Sequence, residues 1–385
     1  MTTRARRGGP ALLAALAAAC ARPTTAPVTP VPPPLRAAVG NAFLVGAALN
    51  ARQFSGQDTL GAALVTTNFN TITPENVLKW EYVHPREGAY DFAAADQYVA
   101  FGEQHGMFIV GHTLVWHNQT PSWVFVDSAG NPLGRVALLE RLRDHIQTVV
   151  GRYRGRVRGW DVVNEALNED GSLRQTRWQQ QIGDDYLEWA FRFAYQADPE
   201  AELYYNDFSL ENAPKRQAAL NLVRRLREEG IPITAVGLQG HDRMEWPSTA
   251  QVDTTVAAFA DAGFPVMITE LDIDMLPRPN RAPPGADVSA AVAPAVSLNP
   301  YPNGLPDSLL QVQARRYTDL FAAFLRHPGA VKRVTFWGVT DRDSWLNDWP
   351  VPGRTNYPLL FDRDGRPKPA FAAVVAECRH TGVRP

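Results

Sequence analysis

Short apolar runs alternate with longer amphipathic stretches along almost the whole chain, and few folds accept that rhythm. From about residue 35, the runs at 43–49, 66–72, 107–111, 157–163, 202–205, 235–238, 265–269 and 331–336 have the length and the β-branched and aromatic content of strands. Between them, 136–150, 184–196, 214–229, 249–262 and 306–326 carry helical periodicity. Strand, helix, strand is the order of parallel strands joined by crossover helices. Eight such units suit a closed barrel, whereas an open doubly wound sheet would show a glycine-rich fingerprint after its first strand, which is missing. The expectation is the α/β class, as a single (β/α)8 TIM barrel. With 385 residues, 45% of them hydrophobic, the chain can bury a core of that size. A net charge of −2 gives no electrostatic pull toward nucleic acid or an anionic membrane, so neither is expected as a partner.

The beginning of the chain reads differently. Arg4, Arg6 and Arg7 precede an apolar run at 11–19 that is too short to span a bilayer, the order found in an export signal. The run ends in Ala17, Ala18, Ala19 and Cys20, and two readings stay open: cleavage to a soluble secreted form, or a lipoprotein-type signal in which Cys20 carries a lipid anchor. A Pro/Thr/Ala-rich linker follows. The resulting division is 1–20 export signal, 21–35 linker and 36–385 catalytic barrel. The second of the two cysteines, Cys378, is expected to be a small buried hydrophobe rather than half of a disulfide.

Barrel enzymes work at the C-terminal ends of their strands. Those ends carry Asn50, Glu75 and Asn76, His112, Asn164 and Glu165, Asn206 and Asp207, Gln239 and His241, Glu270, and Trp337. Glycoside hydrolysis needs two carboxyl groups in different protonation states across one bond, and Glu165 and Glu270 each close an apolar strand. His241 can donate to Glu270, with Asp272 orienting the ring, which keeps an ionised nucleophile. Glu165 lies near Trp116 in sequence-predicted aromatic surroundings that favour the protonated acid. Either glutamate could instead be a structural salt-bridge partner. His112, His117 and His241 could ligate a metal, though neither His-x-His nor His-Glu-x-x-His spacing occurs and no metal is expected.

Seven segments in order make the chain recognisable: TPENVLKW at 73–80, GHTLVWH at 111–117, WDVVNEA at 160–166, YND at 205–207, QGH at 239–241, ITELD at 268–272 and TFWGVTD at 335–341. Over residues 38–378 the chain resembles glycoside hydrolase family 10, the endo-β-1,4-xylanases. The resemblance implies a retaining enzyme acting on xylan and xylo-oligosaccharides without a cofactor, with Glu165 as acid/base and Glu270 as nucleophile. It implies substrate contacts from Glu75, Asn76, Lys79, His112, Trp116, Gln119, Asn164, Tyr205, Gln239, His241, Trp337 and Trp345, with His241 and Asp272 supporting the nucleophile. A β-1,4-glucan hydrolase on the same barrel is the first alternative, and a non-catalytic glycan-binding surface lipoprotein the second. A monomer is expected. Asn164 and Glu165 are neighbours that must both face the cleft, so a bulge or irregular turn is predicted there. The Pro/Ala-rich loop 275–306 is expected to wall one side of the cleft.

Overall fold

The computed structural model describes residues 1–3, 32–278 and 293–381. The compact unit begins at Pro33, and residues 4–31, with the export signal and most of the linker, lie outside the described residues. Its strands are β1 (Leu44–Leu49), β2 (Thr71–Pro74), β3 (Phe108–Val115), β4 (Gly159–Asn164), β5 (Glu202–Asp207), β6 (Ala235–Leu238), β7 (His241–Arg243), β8 (Val266–Asp274) and β9 (Val331–Phe336). All ladders are parallel. β1 through β6 pair in sequence, β6 pairs β8, β8 pairs β9 and β9 returns to β1, which closes an eight-stranded barrel. β7 is a short extension beyond β6 that sets His241 beside Asp272 on β8. The expected (β/α)8 barrel is the observed one.

One strand lies later than its expected range. The expected strand spans 66–72, but Asp58 caps the helix Thr59–Asn68 by accepting from the Gly61 amide at 3.0 Å, and that helix takes the front of the run. The strand therefore starts at Thr71.

Alternate strand residues point into the barrel and out toward the helices. Outward, Trp160, Val162, Leu203 and Tyr205 meet a helical layer that includes Arg135–Arg152 and Tyr186–Ala197. The first of these buries Leu138, Leu142, Ile146, Val149 and Val150, one face at helical spacing, each side chain worth about 1.5–3 kcal/mol. Inward, the lower part of the barrel is filled by large side chains such as Tyr204. Gly159 makes room for it, since a β-carbon there would stand 2.1 Å from the Tyr204 hydroxyl. Helices Leu35–Val39, Asp307–Leu325 and Pro369–His380 pack together where the chain closes on itself. Cys378 is buried there as a free thiol, pushed up to about 12 by burial. No described helix is long and apolar enough to cross a membrane.

Candidate active site

The strand ends surround a cavity of about 310 Å³ lined by Glu75, Asn76, Lys79, His112, Trp116, Gln119, Asn164, Glu165, Gln239, His241, Glu270, Trp337 and Trp345. Every substrate-contact residue expected from the sequence is here except Tyr205. That side chain is fully buried behind β5 and its hydroxyl donates to Asp207 Oδ2 at 2.5 Å. The pleat turns Tyr205 outward and its neighbour Asn206 inward, so the assignment of Tyr205 to the cleft is corrected.

Glu165 follows β4 with φ at +58°, a left-handed conformation that bulky residues seldom adopt. Its amide still donates to the Asn206 carbonyl at 2.9 Å, and the β4–β5 register shifts between Asp161 and Val163. This is the predicted irregularity, and it lets Asn164 and Glu165 face one cavity. Glu165 Oε2 accepts from Trp116 Nε1 at 2.8 Å, and Oε1 accepts from Gln239 Nε2 at 3.0 Å and Asn164 Nδ2 at 3.2 Å. Burial dominates and raises its pKa from 4.5 to about 7. The charges of Asp207 and Glu270 push the same way, while the Gln239 and Trp116 donors pull it down.

Glu270, on β8, has the opposite balance. Its Oε1 accepts from Asn206 Nδ2 at 2.7 Å, and its Oε2 lies 3.1 Å from His241 Nε2. Burial pushes the carboxyl up, but the His241 hydrogen bond, the positive fields of His112 and His241 and the Asn206 donor together hold it below the usual glutamate value. His241 Nδ1 in turn makes a 3.1 Å ion pair with Asp272, whose other oxygen accepts from Trp345 Nε1 at 2.7 Å. Burial alone would discharge this ring, yet the two carboxylates raise it to about 10, so it is an imidazolium at neutral pH. Trp345 packs against the ring at 4.8 Å between centroids.

Toward β2 the cavity is held by a lysine. Lys79 Nζ donates to Gln119 Oε1 at 2.7 Å and Asn76 Oδ1 at 3.1 Å, and stands 4.9 Å from the Trp116 ring centre. Burial lowers it to about 8, opposed by Glu270, Glu75 and Glu165. Glu75, partly open to the cavity, is pushed up to about 8 by desolvation against the pull of Lys79. These groups form a row of donors and acceptors beside the indoles of Trp337 and Trp345, suited to the hydroxyls and apolar face of a sugar ring.

Two residues absent from the expected contact set organise the site. Asn206 Nδ2 donates to both Glu270 Oε1 and, at 2.9 Å, Asn164 Oδ1, while its oxygen accepts from Thr269 Oγ1 at 2.6 Å. Asp161 holds His112, with Oδ2 at 2.9 Å from Nδ1. The signal for Asp161 was a charge inside an otherwise apolar strand, and for Asn206 its place in the ring of polar strand ends. Among the described residues no group of three His, Cys, Asp or Glu side chains is arranged to hold a metal ion. The expected wall from loop 275–306 is not observed: 279–292 lie outside the described residues, and none of its described residues lines the cavity. Its described end packs elsewhere, with the Tyr301 carbonyl accepting from the Tyr357 hydroxyl at 2.6 Å.

Comparison with known proteins gives a consistent result. The model of glycosyl hydrolase family 10 matches residues 34–377. Endo-1,4-beta-xylanase A of Xylanibacter ruminicola is 44% identical over 343 residues, covering 89% of this chain and 93% of that protein. A family 10 endoxylanase retrieved from sugarcane soil metagenome superposes with a TM-score of 0.86 at 41% identity, covering 89% of this chain and 99% of that one. A variant solved in complex with xylotriose superposes with a TM-score of 0.79 at 35% identity, covering 89% and 99%. The chain belongs to glycosyl hydrolase family 10.

Proposed function

We propose that this chain is a retaining endo-β-1,4-xylanase, cleaving internal bonds of xylan and xylo-oligosaccharides by double displacement. The observation that carries the reading is a pair of buried glutamates in one cavity whose environments drive their pKa values apart, one to about 7 and one below 4.5. Glu165, protonated near neutral pH, gives its proton to the leaving oxygen while ionised Glu270 attacks the anomeric carbon. Glu165, now a base, takes a proton from water and the glycosyl–Glu270 bond is hydrolysed. That sequence requires about 5–5.5 Å between the carboxyls and needs no metal or organic cofactor. The Asn164 amide lines the cavity beside the sugar bonded to Glu270, and Asn206 holds both Asn164 and Glu270 from behind. Lys79, Trp337 and Trp345 enclose the next sugar, where the hydroxymethyl group of a glucan unit would crowd them.

The test compares wild type, Glu165→Ala and Glu270→Ala on soluble xylan and on an aryl xylobioside with a good leaving group. Glu270→Ala should be inactive on both, and Glu165→Ala inactive on xylan while still releasing the aryl group. Xylan turnover by both variants would overturn the assignment. A wild type that prefers a β-1,4-glucan would overturn only the substrate.

The start of the chain adds a proposal of its own: the enzyme is exported and acts as a monomer, either soluble or held at the bacterial surface through Cys20. The charged-then-apolar order of residues 4–19 supports the export reading. Intact mass of the mature protein distinguishes the three cases: signal retained, signal removed, or Cys20 acylated.

A further inference from the structure

At the opposite mouth of the barrel from the cleft lies a cavity of about 460 Å³, formed where β1, β3, β8 and β9 begin. Leu44, Phe108 and Met267 wall it, and Arg333 lies within the barrel at its floor, only 2% exposed. The guanidinium faces the rings of Tyr204 at 5.1 Å and Phe108 at 6.0 Å. No described carboxylate comes within 4.0 Å of it: its side-chain partner is the neutral Tyr204 hydroxyl, and its Nε is enclosed without a partner. A charge taken out of water without a counterion costs several kcal/mol. The acid that shares the cavity lining, Glu202 at the start of β5, accepts from the Tyr204 hydroxyl. The exposed Lys332 adds a second positive charge at the rim.

We infer that this lower mouth is a binding site for a small monoanion with an apolar ring, its carboxylate on Arg333 and its ring against Phe108, Leu44 and Met267. The volume fits a small-molecule pocket, and mainly apolar walls with a few polar groups, here Glu202, Thr234, Lys332 and Arg333, are the usual composition of one. An arginine fork receives a carboxylate through two parallel hydrogen bonds. Glu202 at the rim repels a second negative charge, which favours a monocarboxylate over phosphate. The site is separate from the chemistry of the cleft and stands whether or not xylan is the substrate.

Benzoate and its neutral counterpart benzyl alcohol are the probes, titrated into the full-length protein by calorimetry. Saturable one-site binding of benzoate is expected, with benzyl alcohol at least about tenfold weaker, the scale of a charge-assisted hydrogen bond. Arg333→Met should abolish the binding. Because that change touches the barrel interior, Lys332→Glu on the surface is the companion variant and should weaken benzoate severalfold while leaving the circular dichroism unchanged. No saturable binding to wild type, equal affinity for benzyl alcohol, or unchanged affinity in either variant would overturn the site.

Discussion

A β-carbon on Gly237 would stand 2.3 Å from Asn206 Oδ1, inside any tolerable contact. Gly237 on β6 thus clears the space in which Asn206 turns its amide to Glu270. Gly237→Ala should displace that amide, and a shift of about 1 Å at such a site costs on the order of 10²-fold in rate. The expected signature is a fall in kcat of that size with a small change in KM, since Lys79 and the indoles are untouched. Steady-state kinetics on an aryl xylobioside would measure it, and full activity in this variant would remove Asn206 from the positioning of Glu270.

The pH–rate profile should be bell-shaped. Glu165 must be protonated to act as an acid, so activity falls as pH rises through about 7. Glu270 must be ionised, so the acid limb lies below the usual glutamate value of 4.5. Trp116→Phe removes a donor that favours the carboxylate form of Glu165. The alkaline limb of kcat/KM should therefore move upward in that variant, and a downward move would contradict the origin given for the shift.

Beneath the acid/base loop, Lys215 and Asp207 form a 2.9 Å ion pair with no exposure at either side chain. Lys215→Met strands the Asp207 charge, and breaking one side of a buried pair costs about 3–5 kcal/mol. Because Asp207 already raises the pKa of Glu165, the uncompensated charge should also lift the alkaline limb. The double change Asp207→Asn with Lys215→Met should recover most of the stability and bring that limb below its wild-type position. Urea unfolding and a pH profile on the same samples check both halves.

Stability itself should fall in mild acid. His84 and His145 are buried with their Nδ1 atoms 3.2 Å apart, and His145 stacks on Trp80 with ring centres at 3.6 Å. Burial lowers His84 to about 4, with Asp144 and Glu87 opposing and Arg141 assisting, and it lowers His145 further, aided by His84. A folded-state pKa below the unfolded value of 6.5 means the unfolded chain takes up the proton first. The stabilisation is complete above pH 6.5 and declines as pH falls toward 4, by at most about 1.4 kcal/mol per pH unit for each ring. Urea midpoints at pH 7 and pH 4.5 should show the decline, and His145→Phe should flatten it.

The barrel and its two glutamates were legible because strand ends in this fold expose whatever residue sits there, and Glu165 and Glu270 each close an apolar run. Side-chain direction was harder to read. The resemblance carries Tyr205 to the cleft with the segment YND at 205–207, but the pleat separates Tyr205 from Asn206, and the bond from Asn206 to Glu270 shows which one enters. The start of β2 was misplaced for a related reason: helix and strand share one apolar run, and the boundary depends on a cap at Asp58 rather than on hydrophobicity. The field that separates the two glutamates comes from His241, His112 and Asp207, which lie far from them in sequence, so their pKa values could be argued in direction but not in size.

The side-chain hydrogen bonds that link Glu165 to Glu270 pass through carboxamides: Glu165 to Asn164, Asn164 to Asn206, Asn206 to Glu270. Primary amides hold fixed N–H donors and do not pass a proton from one side to the other as water or a hydroxyl does. The amides thus hold the two carboxyls in place without themselves carrying a proton between them, and in catalysis Glu165 exchanges its proton with substrate and water. Its proton leaves with the departing sugar and returns from the incoming water, which makes recharging of the acid an obligatory part of the hydrolytic half-cycle.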